Sequence, residues 1–358
     1  MTSYGGNPGR GSHALSIAAA EKIYECRTLA AELFGVDDPA RVFFTLNTTY
    51  ALNTVLKGLL RFGDHVLISD FEHNAVYRPL WKMAEERKIS FGVFDSMPTL
   101  GEGRAQAVCG GILQKLTPAT RMIVSTHASN ICSVKMPIRE LGALCRTQNL
   151  LFVVDGAQSA GHERIAVDEM GIDALCLPAH KGLYGPQGCG MVILGKGVLL
   201  DTLCEGGNGV HSLLGEMPDF SPERYEAGTL PTPAIAGLCE GIRAVNRLGV
   251  ANICEYEREL FRQSAHSLRQ MQGVTVYFPE HEGSVLLFGV EGMNAEKVGR
   301  LLGERGICVR SGYHCSALGH RRLQTPDGGA VRISFGIYNT AADVEQFCGA
   351  MRQILALR

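Results

Sequence analysis

Asp155 closes the apolar run Leu151-Phe152-Val153-Val154, and Lys181 follows later in Pro178-Ala179-His180-Lys181-Gly182-Leu183-Tyr184-Gly185-Pro186. A buried carboxylate and a buried lysine at one sheet edge are what a pyridoxal-phosphate site requires. The lysine amine joins the cofactor aldehyde, and the acid keeps the pyridine nitrogen protonated so that the ring can accept electrons. The same spacing also suits a strand-end aspartate capping a turn and a surface lysine. Thr48-Thr49 follows an earlier apolar run and opens a helical stretch from Tyr50 to Leu60. There, backbone N–H groups and hydroxyls could hold a phosphate at the positive helix end, or a threonine could simply cap the helix. His73 follows the next run and could lie over a flat ring or serve as a structural histidine. Gln158, a helical turn after Asp155, could donate to a phenolate oxygen, and so could Asn130; both also read as ordinary turn amides.

The elements that must position these residues show in the hydrophobic pattern. Val42-Phe43-Phe44, His65-Val66-Leu67-Ile68, Met122-Ile123-Val124, Leu151 to Val154 and Met191-Val192-Ile193-Leu194 are short apolar runs separated by helical stretches. This is the signature of a mostly parallel sheet covered on both faces, hence an α/β fold. In such sheets ligands sit beyond the carboxyl ends of the strands, where Thr48-Thr49, Glu72-His73-Asn74, His127 to Asn130, Asp155 to Gln158 and His180-Lys181 fall. Ser12 to Phe34 carries apolar residues at helical spacing and stops at Gly35. After Pro231-Thr232-Pro233 the texture changes to a long helical stretch, Ala234 to Gln272, and then to short strands at Val274 to Phe278 and Ser284 to Phe288. The expected organisation is a large domain over residues 1–233 and a smaller α+β domain over 234–358.

Bulk composition excludes several classes. The chain has 358 residues, with 34 Lys and Arg against 36 Asp and Glu, so no global field points to nucleic acid or an anionic membrane. No apolar stretch is long enough to span a bilayer, and Met1 to Arg10 is Gly-rich rather than signal-like, so a cytoplasmic protein is expected. The twelve cysteines stand singly without zinc-type pairing, which predicts reduced core residues and no metal site.

Taken in order, the motifs resemble the class V branch of the fold-type I aminotransferase superfamily, and within it the cysteine desulfurase and selenocysteine lyase group. The matching segments run from Asn7-Pro8-Gly9-Arg10-Gly11-Ser12-His13 to Phe335-Gly336-Ile337-Tyr338-Asn339-Thr340. They include Thr126 to Asn130, Val154 to Gln158, Ala179-His180-Lys181, Tyr225-Glu226-Ala227-Gly228-Thr229 and Arg310-Ser311-Gly312-Tyr313-His314-Cys315. The resemblance implies a three-layer fold-type I architecture binding pyridoxal 5'-phosphate on Lys181, with Asp155 at the ring nitrogen and His73 stacked on the ring. It implies that Gln158 and Asn130 contact cofactor or substrate, that Thr49 and His180 bind phosphate with Thr48 beside them, and that Arg332 clamps the substrate carboxylate. Thr229 would reach the neighbouring subunit's cofactor, which implies a homodimer with composite sites. Cys315 would accept sulfur from L-cysteine or L-selenocysteine, its thiolate favoured by Arg310 and His314. The short stretch between Cys315 and Arg332 resembles the group II desulfurases, which hand sulfur to an acceptor protein.

The implied reaction uses the Lys181 amine to move the Cα proton and the Cys315 thiolate to attack the substrate sulfur. Alanine and an enzyme persulfide result, and His73 assists protonation at Cβ. Two departures accompany the match. Family members usually begin with a strand and an Asp-Asn-Ala-Ala-Thr segment, and this chain begins after that place. Pro178 stands where a small or hydroxyl residue usually serves the phosphate, and proline brings neither hydroxyl nor N–H. The rival readings are a selenocysteine lyase, a β-eliminating C–S lyase or a transaminase on the same scaffold, and a degenerate scaffold that binds partners. Cys315 argues against simple elimination and transamination, and joint retention of Lys181, Asp155, His73, Arg332 and Cys315 argues against degeneracy. A nicotinamide dehydrogenase is disfavoured because no G-x-G-x-x-G follows an early strand.

Overall fold

Ala19, Ile23, Cys26 and Ala30 lie along one buried face of the first helix, α1 (Ala14–Leu33), and Gly35 takes the left-handed φ of +67° just past its end. The computed structural model describes residues 5–9, 11–97, 99 and 101–357; Arg10, within the Asn7 to His13 match, lies outside the described residues. Contacts divide the chain into two units. One comprises Met1–Ser69, Ala75–His127 and Pro137–Val250, and the other Asp70–Asn74, Ala128–Met136 and Ala251–Arg358.

After α1 the larger unit continues with β1 (Val42–Thr45), α2 (Thr48–Leu59), β2 (His65–Ser69), α3 (Asn74–Glu85), β3 (Ser90–Phe94), α4 (Arg104–Leu113) and β4 (Thr120–Thr126). Then come α5 (Ile138–Gln148), β5 (Leu151–Asp155), α6 (Val167–Met170), β6 (Ala174–Pro178), β7 (Gly190–Leu194) and α7 (Thr232–Leu248). Its seven strands form one sheet in the order β1-β7-β6-β5-β4-β2-β3. Only β7 runs against its neighbours, so β1, β2, β4, β5 and β6 share one direction and release their chains at one edge. β6 and β7 are buried throughout, as strands covered on both faces must be. The mostly parallel α/β sheet is as the pattern of apolar runs indicated, with β3 and β6 added to it.

The smaller unit holds α8 (Val250–Arg269), β8 (Val274–Tyr277), β9 (Val285–Val290), α9 (Ala295–Gly303), β10 (Arg310–Gly312), α10 (Ala317–Leu323), β11 (Ala330–Ser334) and α11 (Ala341–Leu355). Its strands form an antiparallel sheet, β10-β11-β9-β8, over a core that includes Leu260, Phe261, Phe288, Phe347 and Met351. The helical stretch after Pro233 is two helices parted by Gly249 at φ +82°, which only a residue without Cβ adopts freely. The first of them, α7, packs its buried Leu238, Cys239, Ile242 and Val245 beside α1, so the contact boundary falls at Val250 and not after Pro233. Seven of the twelve cysteines are buried and all are free thiols. Among the described residues, no helix is long and apolar enough to cross a membrane.

Candidate active site

In the larger unit, Asp155 ends β5 only 3 % exposed, and its Oδ1 accepts the Ala157 N–H at 2.9 Å. That bond tightens the turn that places half-buried Gln158 a few residues on, where its carbonyl oxygen lies 2.5 Å from His162 Nε2. The loop after β6 carries His180 and Lys181 and is pressed against this turn. A Cβ on Gly161 would stand 1.9 Å from the Gly182 carbonyl oxygen, and a Cβ on Gly182 would stand 2.3 Å from that of Ala160. Only glycine at both positions permits so close a passage of two backbones. α7 backs the loop, since a Cβ on Gly241 would stand 2.1 Å from the Leu183 carbonyl oxygen. Lys181 itself is exposed, in contrast to the buried lysine expected from sequence, because its loop lies beyond the strand end. Partial desolvation and the neighbouring Lys181 charge lower the His180 pKa, which favours the neutral ring.

β1 feeds α2 through Asn47, whose side chain accepts the Tyr50 N–H at 3.1 Å; the helix is therefore capped by Asn47 and not by a threonine. Thr48 and Thr49 occupy its first turn, where backbone N–H groups have no intrahelical acceptor. Thr48 is buried and Thr49 exposed. Thr229 is also exposed, just past Gly228 at φ +86°. It lines a cavity of about 790 Å³ with Tyr24, Arg27, Asn208 and Glu226, which Asp155 and Lys181 do not line.

The smaller unit collects the remaining candidates. Arg332 on β11 donates from Nη1 to the Asn130 carbonyl oxygen at 2.8 Å, while its Nε is buried with no protein partner. Asn130 Nδ2 donates to the His314 carbonyl oxygen at 2.7 Å, and Asn130 Oδ1 is likewise buried without a partner. Arg310 on β10 stands directly opposite Arg332 in the antiparallel pair, so two guanidiniums share one sheet face. Burial first, and the Arg310 charge second, lower the Arg332 pKa to about 10, leaving it cationic at neutral pH. Half-buried Arg332 facing the like charge of exposed Arg310, with a donor to spare, can seat an anion such as a carboxylate.

Cys315 is exposed, with Sγ 3.7 Å from Arg310 Nη2. Its carbonyl oxygen accepts the Asn74 N–H at 2.7 Å, beside half-buried His73. Burial lowers the His314 pKa to about 4, so this ring is neutral and Arg310 is the cation beside the thiol; the expectation that His314 adds charge is corrected. Sequence reading missed Arg27, His320 and Thr325. None stands in a motif, and only their placement in the fold shows what they hold.

The family profile described as Aminotransferase class-V matches residues 1–347. A probable cysteine desulfurase of Methanothermobacter thermautotrophicus is 31% identical over 366 residues, covering 99% of this chain and 89% of its own. A cysteine desulfurase of Yersinia pseudotuberculosis serotype IB is 30% identical over 355 residues, covering 96% and 85%. Among solved structures, the apo form of a cysteine desulfurase from Thermococcus onnurineus NA1 superposes with a TM-score of 0.87 at 29% identity, covering 99% of this chain and 89% of that one.

Proposed function

Because the chain belongs to the class-V aminotransferase family, we propose that it is a pyridoxal-phosphate-dependent cysteine desulfurase that converts L-cysteine to L-alanine and receives the sulfur on Cys315. The observation that carries this reading is the smaller unit's anion seat, Arg332 with its unspent Nε opposite Arg310, beside an exposed Cys315 whose Sγ lies 3.7 Å from Arg310 Nη2. Elimination or transamination alone has no use for that thiol.

The residues suit the cofactor. Asp155 is a buried carboxylate at a strand end, the first turn of α2 offers unpaired amides, and Asn130 Oδ1 and Arg332 Nε are buried polar atoms awaiting partners. Pyridoxal phosphate, when bound, supplies an aldehyde for an amine and a ring that accepts an electron pair. Asp155 would hold the proton on the ring nitrogen, Lys181 Nζ would carry the aldehyde, and Thr48, Thr49 and His180 would hold the phosphate. Gln158 and Asn130 would orient the cofactor, with His73 against its ring.

Arg332 would bind the carboxylate of L-cysteine, and Lys181 Nζ would take the Cα proton. Cys315 Sγ, as thiolate, would attack the substrate sulfur. The new S–S bond forms as the Cβ–S bond breaks, and the electron pair remains with the three-carbon fragment. A proton delivered to Cβ, with His73 as donor, completes alanine and leaves a persulfide on Cys315. The protein would act as a cytoplasmic homodimer in which Thr229 serves the other copy's site, and would pass sulfur to an acceptor protein.

The test is to supply pyridoxal phosphate with L-cysteine or L-selenocysteine and identify products. Wild type should show a visible cofactor band that Lys181→Ala loses. Cys315→Ala should keep the band and lose sulfide release from cysteine. Undiminished alanine and sulfide from Cys315→Ala would reject the sulfur-transfer step.

A further inference from the structure

Cys315 sits in a backbone conformation that its sequence does not favour. Both His314, at φ +51°, and Cys315, at φ +58°, lie in the left-handed region, where a Cβ crowds the following carbonyl. Two consecutive residues of this kind persist only where surrounding bonds over-determine them. Two of those bonds are to main-chain carbonyls: Asn130 Nδ2 holds the His314 oxygen, and the Asn74 N–H holds the Cys315 oxygen. The third restraint is the His314 ring.

His314 is 3 % exposed and uses both ring nitrogens: Nε2 lies 3.1 Å from the Arg310 carbonyl oxygen, and Nδ1 lies 3.1 Å from His320 Nε2. His320, also 3 % exposed, places Nδ1 2.9 Å from Thr325 Oγ1. The two ring planes are nearly parallel, 12° apart, and the Tyr313 ring meets His320 edge-on at 5.4 Å. α10 supplies the spacing: it starts just after the cysteine and ends at Gln324 in the left-handed region, which turns Thr325 back onto His320.

A carbonyl oxygen only accepts, so His314 Nε2 must carry the proton. Burial keeps both rings neutral, each with its pKa lowered to about 4, so His314 Nδ1 must accept and His320 Nε2 must donate. His320 Nδ1 is then an acceptor, and the Thr325 hydroxyl is the donor that fills it. Every hydrogen in the chain has one direction, from Thr325 through His320 and His314 to the Arg310 carbonyl.

We propose that Thr325, His320 and His314 form a directional hydrogen-bond relay that holds the Cys315 loop in its presented conformation, with His320 a positioning residue acting through His314. The consequence for catalysis rests on the reading of Cys315 as the sulfur acceptor; the relay itself does not. Loss of the His320 donor leaves His314 Nδ1 buried and unsatisfied, and the loop relaxes towards conformations natural to its residues.

The experiment uses the full-length holoenzyme with ¹⁵N-labelled histidine. Near neutral pH both His314 and His320 should appear as the neutral Nε2–H tautomer; a charged ring, or an Nδ1–H tautomer at either, overturns the proposal without any variant having to fold. In His320→Leu, amide exchange at Asn74 and Ser316 should accelerate and kcat for sulfide release should fall about tenfold, the scale of one lost buried hydrogen bond, with KM for cysteine nearly unchanged. His320→Gln keeps an N–H donor at the position of Nε2 and should restore slow exchange and most of kcat. A folded His320→Gln as impaired as His320→Leu overturns the relay, and so does His320→Leu with wild-type exchange. If wild type shows the tautomers and the exchange pattern but releases no sulfide, the desulfurase reading fails and the relay stands.

Discussion

Glu226→Gln tests how the segment bearing Thr229 is anchored. Arg27 on α1 and Glu226 are 6 % and 7 % exposed, and the guanidinium grips the carboxylate with both terminal nitrogens, Nη1 to Oε1 at 2.9 Å and Nη2 to Oε2. Nη1 also donates to the Val42 carbonyl oxygen, Oε1 also accepts the Phe44 N–H at 2.6 Å, and the guanidinium carbon lies 4.8 Å from the Phe44 ring centre. Burial raises the Glu226 pKa, and Arg27 acts against that rise, so the carboxylate is kept charged by its partner. Gln removes the charge while keeping the shape, and Arg27 is left cationic in the interior. Loss of one member of a buried pair costs about 3–5 kcal/mol, and the remaining carbonyl and ring contacts of Arg27 place this case at the lower end, about 3 kcal/mol. That corresponds to a fall in the melting temperature of the larger unit of roughly 6–12 °C. Urea unfolding followed by circular dichroism measures it, and Arg27→Met/Glu226→Leu, which removes both charges, should regain most of the loss. A change below about 1 kcal/mol in Glu226→Gln would refute the reasoning, since it would mean that the guanidinium finds water or another anion.

Arg332→Lys should raise KM for L-cysteine by about tenfold to a hundredfold with a smaller change in kcat, because a point charge cannot reproduce the guanidinium fork; steady-state kinetics on holoenzyme decide it. For His314 and His320 the folded pKa values, each about 4, lie below the ordinary imidazole value of 6.5, so the unfolded chain binds more protons as pH falls. Their contribution to stability is fully present above pH 6.5 and is lost as pH falls towards 4. Between pH 7 and 5 the pair should cost about 2 kcal/mol, after halving for residual solvation, and urea midpoints at the two pH values should show a smaller drop in His320→Gln.

The sheet was legible because its strands are apolar on both faces and their carboxyl ends carry the polar residues, so Leu151 to Asp155 announces both a strand and a site. β3 was not legible, since Ser90-Phe91-Gly92-Val93-Phe94 is broken by a glycine, and β6 was hidden because its Pro178 reads as a loop. The proline is tolerated as the last residue of the strand, opposite Gly190. The contact boundary at Val250 left no sign in the sequence for a different reason. Composition changes after Pro233, but α7 belongs where its buried stripe packs, and packing partners far apart in sequence leave no local sign.

The same distinction separates the site residues that could be read from those that could not. In the proposed reaction Lys181, Asp155, Arg332 and Cys315 would carry chemistry that fixes their type, and each sits in a short stretch whose order along the chain is informative. His320 and Thr325 are placed by geometry: a ring nitrogen and a hydroxyl brought together where α10 ends at a left-handed Gln324. A reactive thiol on a surface loop needs both exposure and a fixed direction, and exposure removes the packing that usually supplies direction. In the proposed relay the buried neighbour His314 supplies it instead, and the cation that faces the Cys315 thiol is Arg310.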